Sequence, residues 1–478
     1  MIKGFERVRT KIIATVGPVS DSPELLAELV EAGVNVFRIN MAHGTRAYHD
    51  EVVTRIRLLS EQLDHPIGIL VDLAGPKIRL GQLLGEQLDC FAGQVVRLVR
   101  GEQAEASDEI VSNYPRLVDE LAAGDQVLLA DGLVRMVVQS KTPDEVTCRI
   151  ENNGMIRSRQ GINLPGVALS VPAITDDDRG NIEWAVTREI DFLGLSFVRS
   201  PNEIHALKAI LQSHRSESLV VAKIEKAEAI AKLAEIVEAA DTIMVARGDL
   251  GVEIDVAETP VAQKMIIEEC ARQYKPVIVA TQMLDSMHHS PRPTRAEATD
   301  VANAIVDGAD ACMLSGETAI GDYPVETVRM MNRIMAATEK MLADKQLEQR
   351  EPTGTGGVHR VTAAIVYGAC RIVSRLNAPL MVVATRSSGT ARVKSKQRNF
   401  TATVGVSVSE TALRRMTLLW GITPLRGAPV TDGPALRSFI AKWGKDRGLL
   451  KKKDLVVFVT GTEVVPSAHN ILAIHEVE

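Results

Sequence analysis

The chain has 478 residues, more than the roughly 250 to 300 at which one hydrophobic core stops growing, so two to four domains are expected. Its 45% hydrophobic and 24% charged residues exclude a disordered or membrane-embedded protein. The formal net charge of −6, spread along the chain, excludes long-range attraction to nucleic acid or to an anionic membrane.

Short apolar segments recur from the first residues onward, and helical periodicity separates many of them. The strand candidates are residues 11–17, 35–41, 67–73, 191–197, 219–225, 242–250, 276–284 and 311–318, with helical stretches at 201–212, 259–273 and 294–306. Buried strands that alternate with helices are typical of an all-parallel sheet, and eight such strands close into a barrel. The pattern therefore predicts an α/β protein built on a (β/α)8 TIM barrel.

Segments of alternating polarity interrupt this rhythm once, after the third strand. The strand candidates there are residues 95–99, 126–130, 133–138 and 146–150, with a hairpin signal at Asp131-Gly132. They predict a small inserted β-barrel domain. Because an insertion at the carboxyl end of a barrel strand overhangs the barrel mouth, this domain is expected to act as a lid.

A stretch rich in Pro, Gly and Thr, residues 351–357, is typical of a linker. Beyond it a helix is predicted at 359–376, with strands at 380–385, 402–408 and 455–460. The predicted domains are a barrel at residues 1–72 and 170–345, the lid at 73–169 and a C-terminal α/β domain at 346–478.

The five cysteines are odd in number and far apart, which fits neither a disulfide framework nor a CxxC metal site. We expect them to be reduced and structural. The N-terminal residues form no apolar stretch that resembles a signal peptide, so the expected location is the cytoplasm.

Polar side chains cluster at the carboxyl ends of the predicted barrel strands, where barrel enzymes place their chemistry. They are Arg38 and Asn40, Asp72, Lys223 and Glu225, Arg247 and Asp249, Thr281, and Ser315 and Glu317. Loops are polar in any protein, so any one of these residues, taken alone, is equally well explained as an ordinary loop residue. The set is more specific, since Lys223 and Glu225 share one face of their strand.

These residue types indicate a site for a small phosphorylated acid. Glu225 and Asp249 can supply oxygens to one hard divalent cation, Mg²⁺ or Mn²⁺, which leaves Lys223 and Arg38 to hold an anion. Phosphoryl transfer fits, because it needs charge neutralisation and positioning more than covalent chemistry. The sequence contains neither GxxxxGK[ST] nor GxGxxG, so a nucleotide is expected to bind in another way.

Several longer motifs together resemble those of pyruvate kinases, along nearly the whole chain. They are Lys11-Ile-Ile-Ala-Thr-Val-Gly-Pro18, Arg38-Ile-Asn40 with His43-Gly44, Gly75-Pro-Lys-Ile-Arg79, Lys223-Ile-Glu225, Met244-Val-Ala-Arg-Gly-Asp-Leu-Gly-Val-Glu253, Ala280-Thr-Gln-Met283, Pro293-Thr-Arg-Ala-Glu297 and Leu314-Ser-Gly-Glu-Thr318. The resemblance implies transfer of the phosphoryl group of phosphoenolpyruvate to ADP, giving pyruvate and ATP, the last step of glycolysis. It also implies a mobile lid, a C-terminal regulatory domain and a homotetramer.

The resemblance assigns roles to single residues of this chain. Glu225 and Asp249 look like the divalent-metal ligands, Lys223 like the cation that steadies the phosphoryl group, and Arg38 like its phosphate partner. Thr281 resembles the residue beside the enolate carbon, with Ser315 and Glu317 behind it in a proton relay. Gly248 and Asp249 match substrate-binding positions, and Asn40, His43 and Arg79 match positions on the nucleotide or cation side.

Two positions depart from the family's common pattern. Ala42 stands where a serine hydroxyl helps to hold potassium, and Lys77 replaces the glutamate of Gly-Pro-Glu. The monovalent-cation region implied by the resemblance comprises Asn40, Asp72 and Lys77. An ammonium group at Lys77, on the loop close to Asp72, can take the place of the ion's charge, so potassium is not expected to be required.

A candidate effector loop lies between a strand and a helix of the C-terminal domain. Its residues are Thr385, Arg386, Ser387, Ser388 and Gly389. Such a turn can bind phosphate through backbone N–H groups, although an ordinary capped helix start is the alternative. Resemblance to the family's effector loop favours a phosphorylated metabolite, whose identity stays open.

Two other functions account for part of this pattern and are alternatives to phosphoryl transfer. A metal-dependent lyase of the same barrel type would share the carboxylate pair and the arginine, but would cleave a carbon–carbon bond without ADP. A metabolite sensor with an inactive barrel would use the C-terminal domain alone. The retained Lys223, Glu225, Asp249 and Thr281 argue against the sensor, because an inactive site has no need for buried charges.

Overall fold

The computed structural model describes residues 8–167, 169–344, 357–460 and 470–478. Numbered in chain order, the strands are β1 (Lys11–Thr15), β2 (Val34–Asn40), β3 (Gly68–Asp72), β4 (Gln87–Cys90), β5 (Val95–Val99), β6 (Glu109–Ile110), β7 (Gln126–Leu129), β8 (Val134–Lys141), β9 (Glu145–Ile150), β10 (Gly154–Arg157), β11 (Ile162–Asn163), β12 (Phe192–Leu195), β13 (Leu219–Ile224), β14 (Thr242–Ala246), β15 (Val277–Ala280), β16 (Ala311–Leu314), β17 (Leu380–Ala384), β18 (Ala402–Val406), β19 (Thr423–Leu425), β20 (Leu455–Thr460) and β21 (Ile471–Glu476).

The helices are numbered in the same way. They are α1 (Pro23–Ala32), α2 (Arg46–Gln62), α3 (Leu117–Glu120), α4 (Asp176–Thr187), α5 (Pro201–Ser213), α6 (Ala227–Ala231), α7 (Leu233–Ala239), α8 (Arg247–Glu253), α9 (Thr259–Arg272), α10 (Arg295–Asp307), α11 (Gly316–Ala319), α12 (Pro324–Asp344), α13 (Arg360–Leu376), α14 (Gly389–Lys396), α15 (Glu410–Met416) and α16 (Gly433–Asp446), with a 3-10 turn at Asp285–His288. Across the described ranges, none of these helices combines the length and apolarity needed to span a membrane.

Eight parallel strands close into a barrel in the order β1-β16-β15-β14-β13-β12-β3-β2, which confirms the predicted fold class. Their side chains are almost all buried, as expected for strands covered on both faces. Each barrel strand ends earlier than predicted, and three of them, β14, β15 and β16, end four residues earlier. β14 stops at Ala246 and α8 begins at Arg247, so Asp249 lies in the first turn of a helix, where a carboxylate is favoured by the helix dipole.

The other two early ends, in β15 and β16, also have local causes. After β15, Thr281 and Gln282 adopt φ values of 71° and 53°, which turn the chain out of the strand. After β16, the chain enters the short helix α11 at Gly316, so Glu317 is helical. The predicted strands at 276–284 and 311–318 were therefore too long by four residues each at their carboxyl ends.

Strands β4 to β11, which lie between β3 and β12 in the chain, form a separate β structure, as predicted. It contains a two-stranded sheet, β10-β4, and a six-stranded sheet in the order β11-β7-β8-β9-β5-β6. The predicted hairpin joins β7 to β8, and Ala130, Asp131 and Gly132 have positive φ values of 51°, 55° and 86° at its turn. The exact boundaries of this inserted region, residues 73–169, stay a prediction.

The C-terminal sheet has the order β19-β18-β17-β20-β21, with parallel pairing except between β20 and β21. The predicted helix at 359–376 is present as α13. Most of the predicted linker, residues 351–356, lies outside the described residues, as does the predicted boundary between residues 345 and 346.

All five cysteines are buried and unpaired, which confirms the prediction that they are reduced. Burial raises the pKa of Cys148, Cys270 and Cys312 to about 12 each. They are therefore thiols, and thus poor nucleophiles, near neutral pH.

Buried ion pairs fix the C-terminal sheet to the amino end of the barrel. Asp310, just before β16, accepts hydrogen bonds from Val277 N at 2.8 Å and from Lys396 Nζ at 2.6 Å. Asp191, just before β12, likewise accepts from Ile69 N at 2.9 Å and from Arg414 Nε at 2.6 Å. The carboxyl end of the barrel is left free for the inserted region.

The Lys396–Asp310 pair gives a stability prediction. Lys396→Met should lower the free energy of unfolding by about 3 kcal/mol, because it removes the closest partner of a fully buried carboxylate. Lys442→Met is the matched control, since its pair with Asp446 is exposed and should contribute little. Urea unfolding followed by fluorescence measures both. Equal midpoints for the two variants would contradict the assigned importance of the buried pair.

Candidate active site

Four charged side chains meet at the carboxyl end of the barrel and form one continuous network, here called the charge cluster: Arg38, Asp72, Lys223 and Glu225. Lys223 Nζ lies 2.9 Å from Glu225 Oε1 and 3.3 Å from Asp72 Oδ1. Arg38 Nε donates to Asp72 Oδ2 at 2.8 Å, and Arg38 Nη1 donates to Thr15 Oγ1 at 3.1 Å. The sequence predicted these residues at strand ends, and the barrel brings them into contact.

Burial and mutual attraction set the charge states of the cluster. Burial lowers the pKa of Lys223, but the carboxylates of Asp72 and Glu225 outweigh it and the pKa is raised overall. For Asp72, burial raises the pKa, and the nearby Lys223 and Arg38 reverse the shift so that the pKa is lowered. Lys223 and Asp72 are therefore both charged near neutral pH.

Glu225 is the member whose charge is least well compensated. Burial raises its pKa, Lys223 opposes the rise, and the carboxylate of Asp249 adds to it. Lys77 pairs with Asp249 at 3.9 Å, so the three carboxylates Asp72, Glu225 and Asp249 are matched by three cations, Arg38, Lys223 and Lys77. Because the neighbouring carboxylates of Glu225 and Asp249 still repel each other, a cation between them would stabilise both.

A divalent cation fits this pair of carboxylates. The described residues contain no group of three or more His, Cys, Asp and Glu side chains arranged to hold a metal ion. Mg²⁺ commonly binds through only one or two carboxylates, with water and substrate oxygens completing its six ligands. Glu225 also accepts a hydrogen bond from Phe197 N at 2.7 Å, which fixes one of its oxygens.

Lys77, on the loop after β3, pairs with a carboxylate of α8. Its ammonium group lies 3.9 Å from Asp249 Oδ1, whereas the Asp72 carboxylate is paired with Arg38 and Lys223. Among the described ion pairs, Lys77 is therefore a partner of Asp249, and its role in a monovalent-cation region stays a prediction. The loop after β3 carries Lys77 across the barrel mouth toward α8, a contact that local sequence does not reveal.

Thr281 occupies a strained backbone position at the end of β15. Its φ of 71° is unusual for a β-branched residue, and such strain persists only where surrounding contacts hold it. The hydroxyl donates to Ala280 O at 2.6 Å and accepts from Gly248 N at 2.7 Å. Arg247, paired with Asp300, donates to Thr281 O at 2.8 Å. Thr281 and Gly248 are thus held together, as the predicted substrate site requires.

Glu317 links the two neighbouring strand ends. It is buried, and its carboxylate accepts from Ser315 N at 2.7 Å and from Leu284 N at 3.3 Å. Leu284 follows Thr281 by three residues, so Glu317 ties the Thr281 segment to Ser315. Thr281, Ser315 and Glu317, the three residues of the predicted proton relay, therefore lie on segments that are joined to one another.

The three predicted nucleotide residues are spread around the mouth rather than in mutual contact. Asn40 ends β2 opposite Asp72, His43 is exposed on the following loop, and Arg79 belongs to the inserted region, where its guanidinium donates to Arg159 O at 3.2 Å. Between the barrel and the inserted region lies a cleft of about 510 Å³. Its lining includes Met41, Gly44, His49, Gly75, Lys77, Asn113 and Asp178.

The candidate effector loop lies between β17 and α14, remote in sequence from the barrel mouth. Arg386 and Ser387 are exposed, and Ser388 adopts a left-handed conformation with φ of 68° just before α14. Among the described residues, the side chain of the N-cap residue Ser388 makes no capping hydrogen bond to the first turn of α14, unlike an ordinary capped helix start.

Sequence reasoning missed several residues that shape the site. Ser196 and Phe197 follow β12 and contact Lys223 and Glu225, Thr15 supports Arg38, and Asp300 pairs with Arg247. Ser196 carried a usable signal, since it is a polar residue directly after a buried strand. The backbone N–H of Phe197 carried none.

Comparison with known proteins gives consistent matches over the whole chain. Residues 7–328 match the family model "Pyruvate kinase, barrel domain", and residues 363–475 match "Pyruvate kinase, alpha/beta domain". The pyruvate kinase of Geobacillus stearothermophilus is 37% identical over 472 residues, covering 98% of this chain and 80% of that protein.

Two further relatives agree. Pyruvate kinase 2 of Synechocystis sp. is 39% identical over 464 residues, covering 95% of this chain and 76% of that protein. The crystal structure of a pyruvate kinase from Cryptosporidium parvum superposes with a TM-score of 0.90 at 31% identity, covering 98% of this chain and 96% of that one.

Proposed function

The chain belongs to the pyruvate kinase family, and we propose that its charge cluster carries out the family's transfer of a phosphoryl group from phosphoenolpyruvate to ADP. The observation that supports this assignment most is Lys223, a buried ammonium group held between Asp72 and Glu225 beside Arg38. A fixed cation in a dry site stabilises charge that develops on the phosphoryl oxygens during transfer.

Each member of the site then has a distinct role. Arg38 and Lys223 hold the phosphoryl group from two sides, while Gly248, Asp249 and Thr281 line the place of the enol. Glu225 and Asp249 would hold Mg²⁺ or Mn²⁺, which supplies charge neutralisation between the substrate oxygens. Asn40, His43 and Arg79 would contact the nucleotide when the inserted region closes the cleft between it and the barrel.

Thr281 is proposed to assist proton delivery to the enolate carbon after phosphoryl transfer. Its own proton is directed to Ala280 O, and a hydroxyl of ordinary acidity is a poor acid. Protonation through water beside Thr281 is therefore favoured over direct donation. Ser315 and Glu317, which are tied to the same segment, are placed to order that water.

The assignment is tested by measuring pyruvate formation with ADP and Mg²⁺ each omitted in turn. Pyruvate should appear only when phosphoenolpyruvate, ADP and a divalent cation are all present. Lys223→Met should lower kcat by about 100-fold or more, with a much smaller change in KM for phosphoenolpyruvate, because the charge matters most as the phosphoryl group detaches. Pyruvate formation without ADP would instead support a lyase.

We further propose allosteric control through the C-terminal domain and assembly as a homotetramer. The uncapped start of α14 and the exposed Arg386 suit a phosphorylated metabolite. The same helix ends at Lys396, which reaches the buried Asp310 at the base of β16. For self-association, Val256, Val261 and Met265 leave an apolar strip on and before α9, with 75%, 59% and 49% of their surfaces exposed.

Potassium independence is proposed from two neighbouring features of the barrel mouth. Ala42 offers no hydroxyl oxygen to a monovalent ion, and the Lys77 ammonium stands 3.9 Å from Asp249 Oδ1. A tethered cation there supplies positive charge beside the proposed metal ligands and repels a free ion. The alternative is that water replaces the hydroxyl and potassium still binds.

Activity in sodium or tetramethylammonium buffer should not rise when potassium chloride is added at constant ionic strength. Lys77→Glu combined with Ala42→Ser should create a potassium requirement, because it replaces the tethered cation with oxygen ligands. Ala42→Ser alone is the matched control and should stay independent of potassium. Stimulation of the parent protein by several-fold would overturn the proposal.

A further inference from the structure

The turn after β12, residues Ser196 and Phe197, lies between the charge cluster and the start of the inserted region. Ser196 is only 2% exposed. Phe197 has a φ of 55°, a left-handed conformation that a bulky side chain rarely adopts. Such a conformation costs free energy, so the contacts around the turn must be holding it in place.

The hydroxyl of Ser196 makes two short hydrogen bonds with fixed directions. It donates its only proton to Leu73 O at 2.7 Å, and it accepts a proton from Lys223 Nζ at 2.7 Å. Because the proton is committed to Leu73, a lone pair of Ser196 must point at the ammonium group. The hydroxyl therefore acts as an oriented acceptor rather than a freely rotating one.

Lys223 has three N–H groups and three acceptors within reach. These are Ser196 Oγ at 2.7 Å, Glu225 Oε1 at 2.9 Å and Asp72 Oδ1 at 3.3 Å. Glu225 is also a proposed cation ligand, so binding of a metal ion would draw its carboxylate away from Lys223 and leave one N–H group of the ammonium without that acceptor. Ser196 and Asp72 are then the two acceptors that set the direction of the remaining N–H group toward a phosphoryl oxygen.

The same turn is packed against the chain that leads into the inserted region. Gly75 has a φ of 64°, and a Cβ atom added to it would stand 2.9 Å from Ser196 Cβ and 3.1 Å from Phe197 Cδ2. With the Leu73 hydrogen bond, this close approach joins the base of the inserted region to Ser196. A shift of that base would therefore displace the Ser196 hydroxyl, which orients Lys223.

We propose that Ser196 is a positioning residue for Lys223, and that its contacts with Leu73 and Gly75 couple the inserted region to the direction of the ammonium group. The inference rests on the proposed role of Lys223 in phosphoryl transfer. Ser196 itself touches no reacting atom. Its effect should therefore fall on kcat, through the aim of Lys223, more than on substrate binding.

The test compares Ser196→Ala with Ser60→Ala by steady-state kinetics and thermal unfolding. Ser60 is a matched control, because it is also 2% exposed, donates to His65 O at 2.7 Å and accepts from Arg426 at 3.2 Å away from the barrel mouth. Ser196→Ala should lower kcat by about 10-fold and change KM for phosphoenolpyruvate by less than about 3-fold. Ser60→Ala should lower Tm comparably without changing kcat.

Gly75→Ala tests the coupling by changing the base of the inserted region instead of Ser196, because the added methyl group would press against Ser196. It should lower kcat in the parent protein and have a smaller effect in the Ser196→Ala background, as expected for residues that act through one contact. Independent effects that multiply would overturn the coupling. An unchanged kcat in Ser196→Ala, measured while Lys223→Met loses about 100-fold, would overturn the inference alone. Retained activity in Lys223→Met would instead overturn the proposed function.

Discussion

The burial of an ammonium group among carboxylates is the interaction on which the rest of this site depends. Lys223 is removed from water, and only the close approach of Asp72 and Glu225 keeps it charged. Arg38 neutralises the second oxygen of Asp72, and the Phe197 backbone holds the second oxygen of Glu225.

The two ends of the barrel carry buried charges that serve different purposes. At the amino end, Asp310 pairs with Lys396 and Asp191 pairs with Arg414, both from the C-terminal domain, and these contacts stabilise the assembly of domains. At the carboxyl end, burial and the neighbouring carboxylate of Asp249 raise the pKa of Glu225. This repulsion between two carboxylates is a feature that a purely structural network has no reason to keep, and a cation bound together with an anionic substrate can relieve it.

Much of this could be predicted from the sequence, for local reasons. Buried strands and helical periodicity predict the barrel, and strand alternation places Lys223 and Glu225 on one face. Contacts between distant segments could not be predicted in the same way. Lys77 pairs with Asp249 because a long loop crosses the mouth, and α8 begins at Arg247 where apolar character alone suggested a longer strand. Ser196 was missed although it is a polar residue directly after a buried strand, because its hydrogen bond with Lys223 joins residues 27 positions apart in the sequence.

Glu225 and Asp249 are proposed to form a divalent-cation site beside Lys223 that the substrate completes. A crystal grown with Mn²⁺ and oxalate, a stand-in for the enolate of pyruvate, measures this directly through the anomalous scattering of manganese. The account predicts one strong peak within about 2.0 to 2.6 Å of carboxylate oxygens from both Glu225 and Asp249. A saturating metal bound elsewhere in the barrel, with Glu225 still paired to Lys223, would contradict it.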